Sequence, residues 1–413
     1  MRHMAPHQLV PFELPPDWNR PENLAPLDGA PFNCVLFPEG AAPSIAAAAS
    51  AKGWQAYPLK QAPVKIREGV WPGLRLNQST SESAGPTGTP WLDANGWVAQ
   101  LARAEKPADP CWIRTEIPEN ASQQPEDMFL FAALEPVPYG ALRVVALPPS
   151  MARPLGAGDA AMRSRWQGFC DLYRWMLAQC AKTSDWAVVA RLGILSNFAG
   201  ANEFISGEVL NLAARRNLAY RVLFKDRVQA EALRGLKAVL YIDVEPPPPP
   251  LLKLLDAFVA SGGLLLSPPA TAAKFASARA ASEVHPRFHL RTYGRGRIAA
   301  SKEDWGDPYV VAQDTHLLMS RRHDSVRLFN AGSLQFHHVA APQGGHETVH
   351  LLNYTLRPSA NPVSLQSWRT LKSAKFLSAG GREPVPLEIH KQSGYSELHI
   401  PAFPMYAAIE LEI

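Results

Sequence analysis

From Phe32 onward, short wholly apolar runs alternate with segments whose apolar residues return every three or four positions, the periods of a buried strand and an amphipathic helix. NCVLFPEG reads as a strand, APSIAAAASAKG as a helix ending at Gly53, and WQAYPL and GLRL as two further strands. LDANGWVAQLARAE sets Trp97, Leu101 and Ala104 at helical spacing, and PCWIRTE follows as a strand. EDMFLFAALEPVPYG then reads as a helix and ALRVVALP as a strand. Alternation of this kind predicts a mostly parallel sheet or barrel.

A long helix predicted from Asp159 to Lys182, with Trp166, Phe169, Leu172, Tyr173, Met176 and Leu177 on one face, leads into a second alternating block. Here WAVVARLGIL, YRVLF, KAVLYID and LLLSPP are strands, separated by the helical NEFISGEVLNLAARRN, RVQAEALRGL and LLKLLDAFVASGG. That order fits an open α/β domain wound like flavodoxin. After about residue 283 the helical period disappears, and SVRLFNA, LQFHHVA, ETVHLLNYT, AKFLSA, VPLEIHK, YSELHIPA and YAAIELEI alternate only in part, as strands of an antiparallel β-sandwich do. Prolines from Pro11 to Pro31 leave the first residues without a sustained period. The predicted fold class is therefore α/β plus β. It comprises an extended arm (1–31), a truncated, incomplete or remodelled βα-barrel-like domain (32–183), an open α/β domain (184–282) and a β-sandwich (283–413).

Length and composition agree with several packed domains: 413 residues, 46% apolar and 19% charged. A net charge of +4, from 41 basic and 37 acidic residues with no basic run of five, argues against a nucleic-acid partner. No window approaches the roughly 18 apolar residues of a membrane span, and MRHMAPHQLVPFELPPDW lacks a signal-peptide core, so a cytoplasmic protein is expected. Cys34, Cys111, Cys170 and Cys180 form no CxxC pair and read as buried free thiols. No cofactor is expected and no metal. His346 and His350, with His337 and His338 nearby, lie on a predicted strand where four residues span about 13 Å, too far to share an ion.

The candidate chemistry lies at strand ends. Glu116 closes PCWIRTE and Glu39 follows VLFPEG, positions that project into the mouth of a parallel barrel. Two such carboxylates cleave a glycosidic bond when they stand about 5 Å apart, with retention, or about 6.5–9.5 Å apart, with inversion. In GPTGTPWLDANGW, Trp91 and Trp97 accompany Asp93 and Asn95 and, with Trp71, are candidates for a sugar platform, the indole covering a pyranose face while short polar groups take its hydroxyls. The competing reading leaves each Glu solvated or capping the next helix, and makes Asp93 a helix cap. NFAGANEFISGEV sits at a strand-to-helix junction but lacks GxGxxG and GK[ST], so Asn202 is expected as an N-cap.

The order of these parts, a strand ending in Glu116, an open α/β block closing with LLDAFVASGGLLL, then β-strands, resembles the C-terminal part of β-galactosidases that carry a trimerisation domain. The resemblance implies a (β/α)8-derived barrel with Glu116 as nucleophile, and a middle domain similar to class I glutamine amidotransferases. It also implies a carbohydrate ligand and a homo-oligomer formed through that middle domain. The chain departs from the pattern in two ways. The Asn-Glu pair that supplies the family's acid/base is matched only by Asn202-Glu203, in the wrong domain, and fewer than 120 residues precede Glu116. Where an amidotransferase needs its Cys, this chain reads YIDVEPPPPP. Two readings follow: a divergent glycoside hydrolase in which Glu39 or Asp93 partners Glu116, and a non-catalytic carbohydrate-binding or oligomerisation scaffold of the same descent.

Overall fold

The computed structural model describes residues 4–38, 43–75, 91–119, 126–358, 361–381 and 383–413. In its first part, strands β1 (Pro11–Glu13), β2 (Cys34–Phe37) and β3 (Gln55–Pro58) are followed by β4 (Ile66–Glu68) and by an antiparallel ribbon of β5 (Gly73–Arg75) and β6 (Trp91–Asp93). Strands β7 (Cys111–Arg114), β8 (Ala141–Arg143) and β9 (Val145–Ala146) complete this part. Parallel pairing sets the orders β3-β2-β1-β9 and β4-β7-β8. Because β8 and β9 are one extended segment interrupted at Val144, whose N–H donates to the Ile113 carbonyl, the two sheets continue into one curved parallel layer.

The two faces of that layer are both apolar. Cys34, Leu36, Trp112 and Val144 fill the inside. Phe12, Val35, Ile113 and Val145 pack outward under helices α1 (Pro43–Ala51), α2 (Gly96–Glu105), α3 (Glu126–Leu134), α4 (Pro149–Ala157) and α5 (Ala160–Ala181). The expected arm at residues 1–31 contains β1, which lies between β2 and β9 in the sheet. Its three residues are too few to show a period, and flanking prolines disguise it. The expected 159–182 helix is α5, capped by the Asp159 carboxylate accepting from the Met162 N–H at 2.8 Å.

After β10 (Ala187–Val188) comes a seven-stranded sheet made of β11 (Leu192–Ser196), β12 (Tyr220–Phe224), β13 (Ala238–Tyr241), β14 (Leu264–Ser267), β15 (Arg279–Ala280), β16 (Phe288–Tyr293) and β17 (Gly296–Ser301). Its order is β12-β11-β13-β14-β17-β16-β15, the 2-1-3-4-5 winding of doubly wound sheets with an antiparallel edge. Helices α6 (Glu203–Arg215), α7 (Ala230–Leu233), α8 (Pro249–Ala260), α9 (Pro269–Ala272) and α10 (Pro308–Met319) accompany it. The α/β pattern thus runs past residue 282, where the sequence reading placed a boundary. The reason is local: α10 buries Asp314, Thr315 and His316 beside Val311 and Ala312, so its inward stripe is half polar and shows no hydrophobic period.

The last part holds β18 (Val326–Phe329), β19 (Leu334–Ala340), β20 (His346–Asn353), β21 (Val363–Ser367), β22 (Ser373–Ser378), β23 (Val385–Pro386), β24 (His390–Gln392), β25 (Tyr395–Ile400) and β26 (Tyr406–Glu412). They form antiparallel sheets in the orders β10-β19-β20-β26-β22-β23 and β18-β21-β25-β24, which enclose one core around Leu351, Leu365, Leu398 and Ile409. The larger sheet has a second buried face, where Leu352, Tyr354 and Tyr406 join the core of the first part. That double burial explains why β20 alternates so weakly in sequence.

Candidate functional site at the mouth of the parallel layer

Side chains alternate between the faces of a strand, so the inward Trp112 of β7 puts Arg114 on the same inner face two residues on. By the same count β1, with Phe12 outward, turns Glu13 inward, and β4, with Ile66 inside, does the same for Glu68. Since all these strands are parallel, Glu13, Glu68 and Arg114 arrive together at the carboxyl end, above a lumen closed by Trp112 at 0% exposure.

Arg114 donates from Nε to Glu13 Oε2 at 2.7 Å and from Nη2 to Oε1 at 2.9 Å, a two-pronged clamp on the carboxylate. The hydrogen bonds it donates to Glu13 hold the guanidinium above its ordinary range, helped by the charges of Glu13, Glu116 and Glu68 and opposed by burial. Glu116 itself lies two residues past the end of β7 and is exposed. Glu13 was not singled out from the sequence, because its strand was not. Glu39, two residues past the end of β2, lies outside the described residues.

The other candidates occupy separate places. Asp93, at the end of β6, is half-buried and accepts from the Trp91 indole N–H at 3.3 Å. The Trp91 ring carries the Arg215 guanidinium 3.6 Å from its centroid. Trp71 meets Phe129 edge-on at 5.1 Å and has Arg143 over its ring at 4.5 Å. Trp97 lies against Gly207 of α6 and joins the cores of the first and second parts. Each indole is therefore packed by the protein's own side chains, and none of them lines the cavities of about 230, 360 and 260 Å³ seen among the described residues.

Asn95 is the N-cap residue of α2 without a side-chain cap bond. Its amide instead reads both backbone groups of Val70, at 2.8 and 2.9 Å, and reaches Glu135 Oε2 at 3.1 Å. The Asn95 N–H donates to Glu135 Oε1 at 2.7 Å, and the Tyr354 hydroxyl reaches the same oxygen at 2.9 Å. Glu135 is 0% exposed, and burial raises its pKa, against the hydrogen bonds from Asn95 and Tyr354 and the charge of Arg143. A lone acid at the end of the otherwise apolar MFLFAALE run was the available sequence signal for this network.

At the junction NFAGANEFISGEV, Asn202 holds the N-cap position of α6 but makes no cap bond, its Nδ2 donating to Asn197 Oδ1 at 3.3 Å. The ends of β11, β12 and β13 meet instead on Asp243. Its carboxylate accepts from Ser196 Oγ at 2.6 Å and the Asn197 N–H at 3.2 Å, and it pairs with Lys225. His346 and His350 both lie on β20, one exposed and one buried. The four cysteines are buried, and burial pushes the thiols of Cys34, Cys170 and Cys180 up to about 12. Among the described residues no helix is long and apolar enough to cross a membrane.

No family model and no curated protein matches the sequence. Solved structures do match the fold. Alpha-L-fucosidase isoenzyme 2 from Paenibacillus thiaminolyticus aligns with a TM-score of 0.52 at 11% identity, over 89% of this chain and 70% of its own. The beta-galactosidase from Bacillus circulans sp. alkalophilus aligns at 0.53 and 10%, over 91% and 63%. A rhamnosidase from Novosphingobium sp. PP1Y aligns at 0.53 and 11%, over 89% and 38%. The chain spans about two thirds of the fucosidase and beta-galactosidase chains. What it shares with these enzymes is a glycoside-hydrolase-like fold in which parallel and antiparallel sheets are combined.

Proposed function

We propose that this chain is a glycosidase-like carbohydrate-active protein that binds a sugar at the carboxyl-end mouth of its parallel layer without cleaving it. The observation that carries this reading is the clamp of Arg114 on Glu13. Hydrolysis needs one carboxylate free to attack or to activate water and a second to carry a proton. At this mouth Glu13, one of the two inward carboxylates among the described residues, has both oxygens engaged by Arg114, which leaves Glu68 without a free inward partner, while charged groups that hydrogen-bond to hydroxyls remain. The sugar class is proposed from the fucosidase, beta-galactosidase and rhamnosidase likenesses, and a homo-oligomer through the seven-stranded sheet is proposed with it.

A second reading, hydrolysis with Glu116 as nucleophile and Asp93 or Glu39 as proton donor, is favoured by one observation: Glu116 is exposed at a strand end beside Arg114. One experiment separates the two. Aryl β-galactosides, α-L-fucosides and α-L-rhamnosides are offered to the wild type and to Glu116→Gln, and binding of the free sugars is measured by calorimetry. We expect no turnover above the buffer blank, and sugar binding that drops at least tenfold in Arg114→Ala. Turnover that disappears in Glu116→Gln would replace the first reading by the second, and absence of both turnover and sugar binding would remove both.

A further inference from the structure

A cavity of about 260 Å³ lies between the end of α6, the segment after α10, and β18. Its wall is cationic. Arg215 and Arg216 reach it from α6, Arg321 from the 3-10 turn that follows α10, and Arg327 from β18. The single carboxylate among the described lining residues, Asp324, is paired with His316 Nε2 at 2.8 Å. Arginines at helix ends complement the helix dipole, and that accounts for Arg215 and Arg216. It does not account for Arg327, which belongs to a strand in another sheet and turns toward the same space.

One buried donor in this lining lacks an acceptor: Arg216 Nε is buried and without a hydrogen-bond partner. Buried donors are ordinarily satisfied, and guanidiniums gathered in a partly enclosed space repel one another unless an anion lies among them. The donors also approach from three separate chain segments. A planar carboxylate is satisfied by one fork, whereas a tetrahedral oxyanion offers oxygens in several directions. Phe329, at 40% exposure, adds an apolar wall for the group that carries the anion.

We propose that this cavity binds the phosphoryl or sulfuryl group of a small ester. The site is independent of the barrel mouth and does not rest on the function proposed for it. It joins the α/β part to the antiparallel part, so occupancy stabilises the fold by linkage.

The test is thermal unfolding and calorimetry with inorganic phosphate, sulfate, acetate and chloride at constant ionic strength, followed by glucose 6-phosphate and glucose 6-sulfate. Saturable stabilisation by phosphate or sulfate, and not by acetate or chloride, is the expected result, and the tighter ester identifies which group is the natural one. Arg321→Gln and Arg327→Gln should each weaken binding at least tenfold while leaving the anion-free melting temperature unchanged or higher, since a like-charge repulsion is removed. A purely structural role would lower that temperature instead. Arg114→Ala, at the barrel mouth, should leave anion binding unaltered. A response to phosphate and sulfate no larger than to chloride, or one that persists unchanged in both arginine variants, would overturn the proposal.

Discussion

At the scale of single residues, the buried Glu135 shows how a polar side chain can organise its surroundings. Asn95, Val70 and Tyr354 are held in place through it, so a loop, two helices and the antiparallel sheet share one carboxylate. Asn95→Ala removes the amide partner and leaves the buried acceptor short of a donor, at a cost of about 3 kcal/mol. Urea unfolding should show it as a lowered midpoint with unchanged slope. Glu135→Gln should cost less, because burial already disfavours the charge. A loss in Asn95→Ala of under about 0.5 kcal/mol would reduce the network to packing. This role was not legible in sequence, where Asn95 reads as a sugar ligand and the capping alternative falls to Asp93. A periodicity argument says which residues are buried and is silent on what a buried amide will find.

At the scale of elements, α2 and the turn Val137–Tyr139 sit so close that only glycine fits between them. A Cβ at Gly96 would lie 2.3 Å from the Tyr139 ring, which is itself 2% exposed and has no room to retreat. We expect Gly96→Ala to destabilise by about 2 kcal/mol, from overpacking rather than backbone conformation. Combined with Tyr139→Leu, it should cost less than the sum of the two single changes, a coupling that a double-mutant cycle measures. Equal and additive losses would show that the contact is not the cause. The elements themselves were largely visible in the chain. Strands β11 to β14 of the second part and helices α2, α5, α6 and α8 follow their apolar periods. What escaped included β1 and β4, too short to show a period, the strands β16, β17 and β21, and α10, whose buried stripe carries an acid, a hydroxyl and an imidazole.

At the scale of the whole molecule, the larger antiparallel sheet is pressed between its own core and that of the first part, and histidines lie in that seam. His350 bonds Tyr406 at 2.8 Å and Thr183 at 3.2 Å, and His337 packs on Tyr139 with ring centroids 4.6 Å apart. Burial lowers the pKa of His350 to about 3 and that of His337 well below the ordinary value, with neighbouring cationic groups adding to the effect. Both are therefore neutral when folded and take up protons on unfolding as the pH falls below about 6.5. Their stabilisation is complete above that pH and is lost on acidification toward 3, at about 1.4 kcal/mol per pH unit for each proton. Raised Glu135 acts in the opposite sense, favouring the fold at low pH. Unfolding free energies between pH 7 and 4 should fall steeply, and His350→Asn should flatten the slope by close to one proton. An unchanged slope in that variant would place the acid sensitivity elsewhere.

The amino-acid sequence by itself determined the α/β-then-β succession of elements and the strand-end position of Glu116, because these depend on local period and on turn residues close together in the chain. Only the tertiary structure decided which polar groups meet. Glu13 and Arg114 stand 101 residues apart and Glu135 and Tyr354 stand 219 apart, and no local pattern couples them. Their pairing follows from strand order and from which face of each strand turns inward, quantities that exist only once the sheets have closed on one another.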